Sequence, residues 1–107
     1  MANTYKNAKV DLTTTSATTV YTTPTGAIAI VKSILMSEDS NNADTITITI
    51  TDSSTAVFSV FKDKAISAKQ TLELLSAHLV LNAGDILKAT AATGGRLHII
   101  ASILEVS

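Results

Sequence analysis

The sequence predicts an all-β fold: an antiparallel two-sheet β-sandwich, jelly-roll-like, with about eight strands. The first observation is the segment Asp44–Thr51, in which isoleucines alternate strictly with threonines. Alternation with a period of two is typical of a strand with one dry and one wet face. The second is composition, because 17 threonines stand beside plentiful isoleucine and valine, which half-buried sheets favour. The third is turn signals roughly every eight to twelve residues, a spacing typical of sandwiches and jelly rolls.

The remaining strands are delimited by turns. Pro24-Thr25-Gly26 ends one apolar run, because proline and glycine favour turns, and residues 82–85 and 93–95 have similar turn chemistry. Segment 64–77 also has apolar residues at helical spacing, but we favour an extended interpretation because 67–70 is typical of a loop. In chain order, the predicted strand segments are residues 10–12, 20–23, 27–37, 44–51, 56–61, 71–75, 79–81, 86–90 and 96–106.

The chain has 107 residues and no cysteine. That length suits one domain, so we expect a single sandwich over residues 1–107 with a core large enough to do without disulfides. Residues 1–8 are polar and are a possible N-terminal arm. The absence of cysteine excludes zinc–thiolate sites and a thiol nucleophile.

Charge and hydropathy exclude further classes of protein. Eight basic and nine acidic residues give a net charge of −1, and the cations are spread singly along the chain. A nucleic-acid-binding protein needs a clustered basic surface, so we expect no nucleic-acid partner. No apolar run approaches the length of a membrane span and none follows a basic N-terminus, so we expect neither membrane insertion nor a signal peptide.

The two histidines offer no catalytic arrangement. His78 lies near a predicted turn, and His98 lies within an apolar strand. A catalytic base needs a nucleophile and an orienting partner within hydrogen-bond reach, and the sequence shows neither. We therefore expect no enzyme activity, no catalytic residue and no cofactor, and we interpret both histidines as rim or interface residues.

The most oxygen-rich segment is residues 38–44. Calcium takes about six to eight oxygen ligands, so such a loop is a candidate cation site. The EF-hand pattern fails here, because its central glycine is missing and Ile50 stands where a glutamate belongs. Aspartate, asparagine and serine also build turns without metal, so we expect no metal site.

Sugar binding is a further alternative, since sandwich modules often stack aromatic rings on sugars. The chain has no tryptophan and only four aromatic residues. We expect Phe58 and Phe61 to pack in or beside the core. Tyr5 and Tyr21 are candidates for exposure, but two tyrosines do not define a platform.

Two strands are apolar on both faces, namely segments 27–37 and 96–106. Antiparallel sheets usually leave one face to water, so something must cover the second face. A loop or the N-terminal segment is one candidate cover, and a second subunit is the other, which we favour. The predicted homo-oligomer interface consists of Ala29, Val31, Leu35, Ile100, Leu104 and Val106.

The chain also resembles small virion structural proteins of tailed bacteriophages, especially phages of aquatic bacteria. The resemblance spans nearly the whole chain and rests on strand-and-turn pattern, with Thr23 at a position where those proteins more often have an apolar residue. The segments that carry it are residues 5–8, 20–26, 29–34, 44–47, 73–75, 81–88 and 101–105.

The resemblance implies a β-sandwich present in several copies on a virion that is assembled in the host cytoplasm. A capsid decoration or cement protein, with a trimer favoured, is the first interpretation, because the chain is short and shows no fibre-forming segment. A tail, baseplate or fibre component is the alternative, and a carbohydrate-binding sandwich is a further one. The implied partners are copies of itself and the major capsid or tail proteins.

Overall fold

The computed structural model describes residues 3–107, whose regular secondary structure is entirely β. The predicted all-β class is therefore confirmed, and segment 64–77 is extended, as we expected. No helix in this part of the chain has the length and hydropathy needed to cross a membrane. The strands are β1 (Asn3–Leu12), β2 (Thr18–Thr22), β3 (Ile28–Glu38), β4 (Asp44–Thr51), β5 (Val57–Ile66), β6 (Thr71–Glu73), β7 (Leu79–Leu81), β8 (Ile86–Ala91) and β9 (Leu97–Val106).

The strands form two antiparallel sheets. Sheet A has the order β1-β9-β3, with β6 and β7 both pairing with the far side of β3. Sheet B has the order β2-β8-β4-β5. Because β6 and β7 pair with opposite ends of β3, they act as one interrupted strand. Apart from the β4–β5 hairpin, successive strands then alternate between the two sheets, which is the predicted jelly-roll sandwich.

The core lies between the sheets and is built from the inward side chains of the long central strands. Ile46 and Ile48 of β4 are fully buried, as the alternation predicts, and the threonines that alternate with them are half-buried on the outer face. The other large, fully buried apolar side chains are Leu12, Ile34, Met36, Ile66, Leu81, Leu87, Leu97, Ile99 and Ile103.

A β-bulge interrupts the alternation of β3. Val31 lies opposite Ile103 and Ser33 lies opposite Ser102, so Lys32 is an extra residue on β3. An inserted residue reverses which side chains face the core. The core therefore receives Ala29 and Val31 before the bulge, and Ile34 and Met36 after it.

The N-terminal segment extends sheet A. Residues 3–8, which the sequence allows as part of an arm, are the first half of β1 and pair in continuous register with β9. Lys6 and Glu105 reinforce this pairing with an ion pair of 3.0 Å. Residues 1 and 2, the rest of the possible arm, lie outside the described residues.

A polar tie joins the two sheets. The Tyr21 hydroxyl of sheet B donates a hydrogen bond to the Glu105 carboxylate of sheet A. Burial, together with the hydrogen bond and the negative charge of Glu105, raises the pKa of Tyr21. Tyr21 is thus a partly buried link between the sheets, whereas Tyr5 is 74% exposed, and the two tyrosines do not form a common sugar-binding platform.

Candidate contact surface on sheet A

The outer face of sheet A carries a group of apolar side chains that is divided by the Ser33–Ser102 pair. Residues directly opposite each other on paired strands point to the same face. By this rule Ile28 of β3 and Val106 of β9 point to the same face, and so do Leu35 of β3 and Ile100 of β9. Ile30 lies between Leu104 on one side and Val80 on the other. We call this group the apolar face: Ile28, Ile30, Leu35, Val80, Ile100, Leu104 and Val106.

The apolar face includes four of the six residues predicted as an interface: Leu35, Ile100, Leu104 and Val106. All four are half-buried on the outer side of sheet A. Whether a second subunit covers them stays a prediction.

The placement of Ala29 and Val31 on that surface is wrong, because both are 0% exposed. The Lys32 bulge turns them into the core and turns Ile28 and Ile30 outward instead. Ile28 is 49% exposed and Val80, which sequence reasoning did not select, is 56% exposed. Val80 stands in a three-residue strand, where too few neighbours exist to show which face it takes.

Tyr5 extends the apolar face towards β1. It lies opposite Leu104 on the outer side of sheet A. The ammonium group of Lys32, at the bulge, lies 5.8 Å from the centroid of its ring, within the range of a cation–π contact. The tyrosine ring therefore extends the apolar surface to a fourth strand, β1.

Glu73 fixes the bulge that creates this surface. Its carboxylate accepts hydrogen bonds from the backbone N–H groups of Ile34 at 2.8 Å and Leu75 at 3.1 Å, and from the Ser33 hydroxyl. Partial burial acts to raise the pKa of Glu73, but these hydrogen bonds outweigh it and the pKa is lowered. The ionised carboxylate thus ties β6 to the irregular part of β3.

The outer face of sheet B differs in character. Thr47 lies opposite Thr90, while Thr49 lies between Lys88 and Ser59. This face is therefore polar along its central strands. The molecule presents one face suited to water and one suited to packing against another apolar surface.

Phe58 does not pack as the sequence suggests. Phe61 is partly buried against the core, in agreement with the prediction, but Phe58 is 57% exposed. It lies opposite Ile50 near the end of edge strand β5. The pairing of β5 with β4 is irregular at two places, and Phe58 lies at the margin of the core.

Glu38, in the candidate cation loop, is a buried turn-building residue. It is 2% exposed, and its carboxylate accepts hydrogen bonds from the backbone N–H groups of Ser40, Asn42 and Lys69 and from the Ser40 hydroxyl. Removal from water acts to raise the pKa of Glu38, but the hydrogen bonds dominate and lower it to about 2. The carboxylate therefore organises its own loop and the neighbouring β5–β6 turn.

The histidines lie apart from each other. His78 is exposed between β6 and β7. His98 lies on the outer side of β9, with Nε2 3.3 Å from Asp11 and Nδ1 3.5 Å from Asp39. Within residues 3–107, no group of three or more histidine and acidic side chains is arranged to hold a metal ion.

A shallow depression of about 380 Å³ lies at the end of sheet B, with Asp44, Thr93 and Arg96 among its lining residues. Its charged groups bind the protein's own backbone. Asp44 accepts hydrogen bonds from two backbone N–H groups, one of them that of Thr93, and Arg96 donates one to the Ala43 carbonyl. The depression thus lies among side chains that already serve the fold.

Comparison with known proteins gives structural neighbours only. No family model matches the chain, and no curated protein matches it. Two crystal structures of a pentameric capsid protein isolated from metagenomic phage sequences are similar to it, each at 23% sequence identity and a TM-score of 0.49. They align with 92% of this chain and with 59% and 60% of their own chains.

The capsid asymmetric unit of cyanophage Pam1 is also similar, at 18% identity and a TM-score of 0.42. It aligns with 96% of this chain and 82% of its own. These three solved structures are thus of phage capsids. The chain spans about 60% of the length of the metagenomic capsid protein.

Proposed function

We propose that this chain is a non-enzymatic structural protein of a tailed-phage virion, a capsid decoration or cement protein that assembles with copies of itself as a trimer. The proposal that the chain self-assembles rests on the apolar face of sheet A. The proposal that it does so on a tailed-phage virion rests on the strand-and-turn resemblance to small virion proteins of tailed phages. A jelly roll suits the role because viral capsid domains frequently use this fold, although the fold alone does not decide function.

The apolar face has the properties of a contact surface. Its residues come from three adjacent strands, and the two most exposed, Ile28 and Val80, keep about half of their surface in contact with water. Contiguous apolar patches on soluble proteins usually mark interaction sites, whereas single exposed apolar residues need no explanation. The outer face of sheet B is polar along most of its central strands, with Val57 exposed at one end, so it offers less apolar surface than the apolar face.

Copies of the same chain are the proposed occupants of the apolar face. Three charged residues share this side of sheet A: Lys9 lies opposite Ile100, Glu73 lies opposite Leu35, and the Lys32 ammonium group lies near the Tyr5 ring. They include both signs, so copies can approach with opposite charges facing each other. A major capsid protein is then the proposed partner of the assembled trimer.

Two measurements test the proposal. Quantitative mass spectrometry of purified particles should find the protein at a copy number comparable to that of the major capsid protein. A copy number comparable to a tail protein would favour a tail or baseplate role, and absence from the particle would overturn the virion role. Light scattering of the purified protein at micromolar concentration should give a trimer or a multiple of it, and a monomer would overturn self-assembly.

A further inference from the structure

The two sheets have four edges, and three of them are poorly suited to pairing with another strand. Strand β2 has five residues and a register shift, and β6 and β7 have three residues each with a gap between them. Strand β5 has ten residues, but its pairing with β4 is irregular at two places. Bulges and short strands are among the devices by which proteins prevent edge pairing.

Strand β1 is the exception. It has ten residues, pairs with β9 without a register shift and contains no proline. Its residues from Asn3 to Asn7 are all exposed. A long, regular and exposed edge strand presents a row of unpaired backbone groups that another strand can bind.

The alternation of hydrogen bonds shows which backbone groups are free. The Leu12 carbonyl accepts a hydrogen bond from the Gly95 N–H, so the backbone groups of Leu12 point towards β9. In antiparallel strands the direction alternates with each residue. The N–H and C=O groups of Tyr5, Asn7 and Lys9 therefore point away from β9, to the open edge.

We propose that β1 is a strand-pairing site whose partner is β1 of a second copy, in antiparallel orientation about a two-fold axis. The other edges of the described chain are short or bulged. The edge that best matches β1 in length and regularity is therefore β1 of another copy. Its charges also fit, because pairing centred on Asn7 or Ala8 does not place Lys6 or Lys9 directly opposite the same residue of the other copy. Pairing centred on Lys9 would place like charges opposite each other, which is unfavourable.

This contact goes beyond the apolar face, since it uses the edge of sheet A and not its surface. It joins two sheets into one continuous sheet with both apolar faces on the same side. It requires only that copies of the chain meet, so it can be tested separately from the proposed virion role.

Cysteine cross-linking tests the pairing, because the chain has no cysteine of its own. Directly opposite residues in antiparallel strands have Cα atoms about 4.5–5.5 Å apart, within the range of a disulfide. Under mild oxidation, Asn7→Cys or Ala8→Cys should give a covalent dimer on a non-reducing gel, whichever of the two lies at the axis. Ser59→Cys, exposed on the bulged edge strand β5, is the matched control and should remain largely monomeric.

Asn7→Pro tests the same edge without a cysteine. The Asn7 N–H points away from β9, so proline removes an edge donor and leaves the β1–β9 hydrogen bonds in place. The circular dichroism spectrum should be retained, and the dissociation constant measured by sedimentation should rise at least tenfold. If this variant fails to fold, the cysteine variants decide.

The proposal is overturned if neither β1 cysteine cross-links faster than Ser59→Cys, or if folded Asn7→Pro associates as tightly as the parent protein. Repeating the cross-linking in an Ile28→Lys/Val80→Lys background separates the two surfaces. If covalent dimers persist in that background, edge pairing does not depend on the apolar face. If the dimers are lost, the cross-link reported contact through the apolar face, and the edge proposal is overturned.

Discussion

Replacing Ile28 and Val80 by lysine should break the proposed self-association while leaving the fold intact. Complete burial of an isoleucine or valine side chain contributes about 1.5–3 kcal/mol. Ile28 is 49% and Val80 56% exposed, so about half of each side chain remains to be covered. Covering that half contributes about 1 kcal/mol per residue, or about 2 kcal/mol per subunit for the pair. Since about 1.4 kcal/mol corresponds to a tenfold change, association should weaken at least about 30-fold.

Sedimentation velocity over a concentration series measures this change, and thermal unfolding checks the fold. The matched control is Thr19→Lys/Ser59→Lys, which adds the same two charges at exposed positions on the polar side of sheet B. We expect the control to associate like the parent and both double variants to unfold near the parental temperature. An Ile28→Lys/Val80→Lys protein that associates as tightly as the control would refute the assignment of the apolar face as the contact surface.

Three further predictions concern the fold that presents this surface. Leu97→Ala, at a fully buried position of β9, should lower the free energy of unfolding in urea by about 2–5 kcal/mol, and an unchanged midpoint would contradict its place in the core. Gly94→Ala should destabilise by about 1–3 kcal/mol in the same assay, because the added Cβ would lie 2.3 Å from the Thr13 carbonyl oxygen. Because the pKa of Glu38 is lowered to about 2 from an ordinary value of 4.5, its ionisation favours the folded state at neutral pH, and this contribution is lost as pH falls from near 4.5 towards 2. Melting temperatures should fall over that range in the parent and less steeply in Glu38→Gln, and parallel pH profiles would contradict the role of its carboxylate.

The alternating segment Asp44–Thr51 shows how much of the fold the sequence contains. Period-two patterning fixed both the type of element and the side that faces the core, and the structure buries Ile46 and Ile48 as expected. Turn chemistry at Pro24-Thr25-Gly26 and near Gly84 likewise located strand ends. These features are predictable because they depend on local conformational preferences and on burial of one face.

The candidate surface was less predictable, because it depends on one extra residue. Nothing in the residues around Lys32 marks a bulge, because this segment is apolar on both faces of the strand. Its odd-numbered or its even-numbered residues could equally well face the core. The bulge is set by pairing with β9 and β6, in which Glu73 binds the Ile34 N–H from a distant part of the chain. Tertiary hydrogen bonds of this kind have no local sequence signal.

The direction of the bulge also bears on why the apolar face exists. Before Lys32, the core receives alanine and valine at positions 29 and 31, while isoleucines at 28 and 30 face outward. The outward pair is larger by about four carbon atoms, each worth about 0.8 kcal/mol when buried, so a lone domain forgoes up to about 3 kcal/mol of core burial. A β-bulge is a retained structural feature rather than a defect, so this arrangement needs a benefit elsewhere. Covering Ile28 and Ile30 with a second subunit would supply that benefit, which connects the bulge to the proposed assembly.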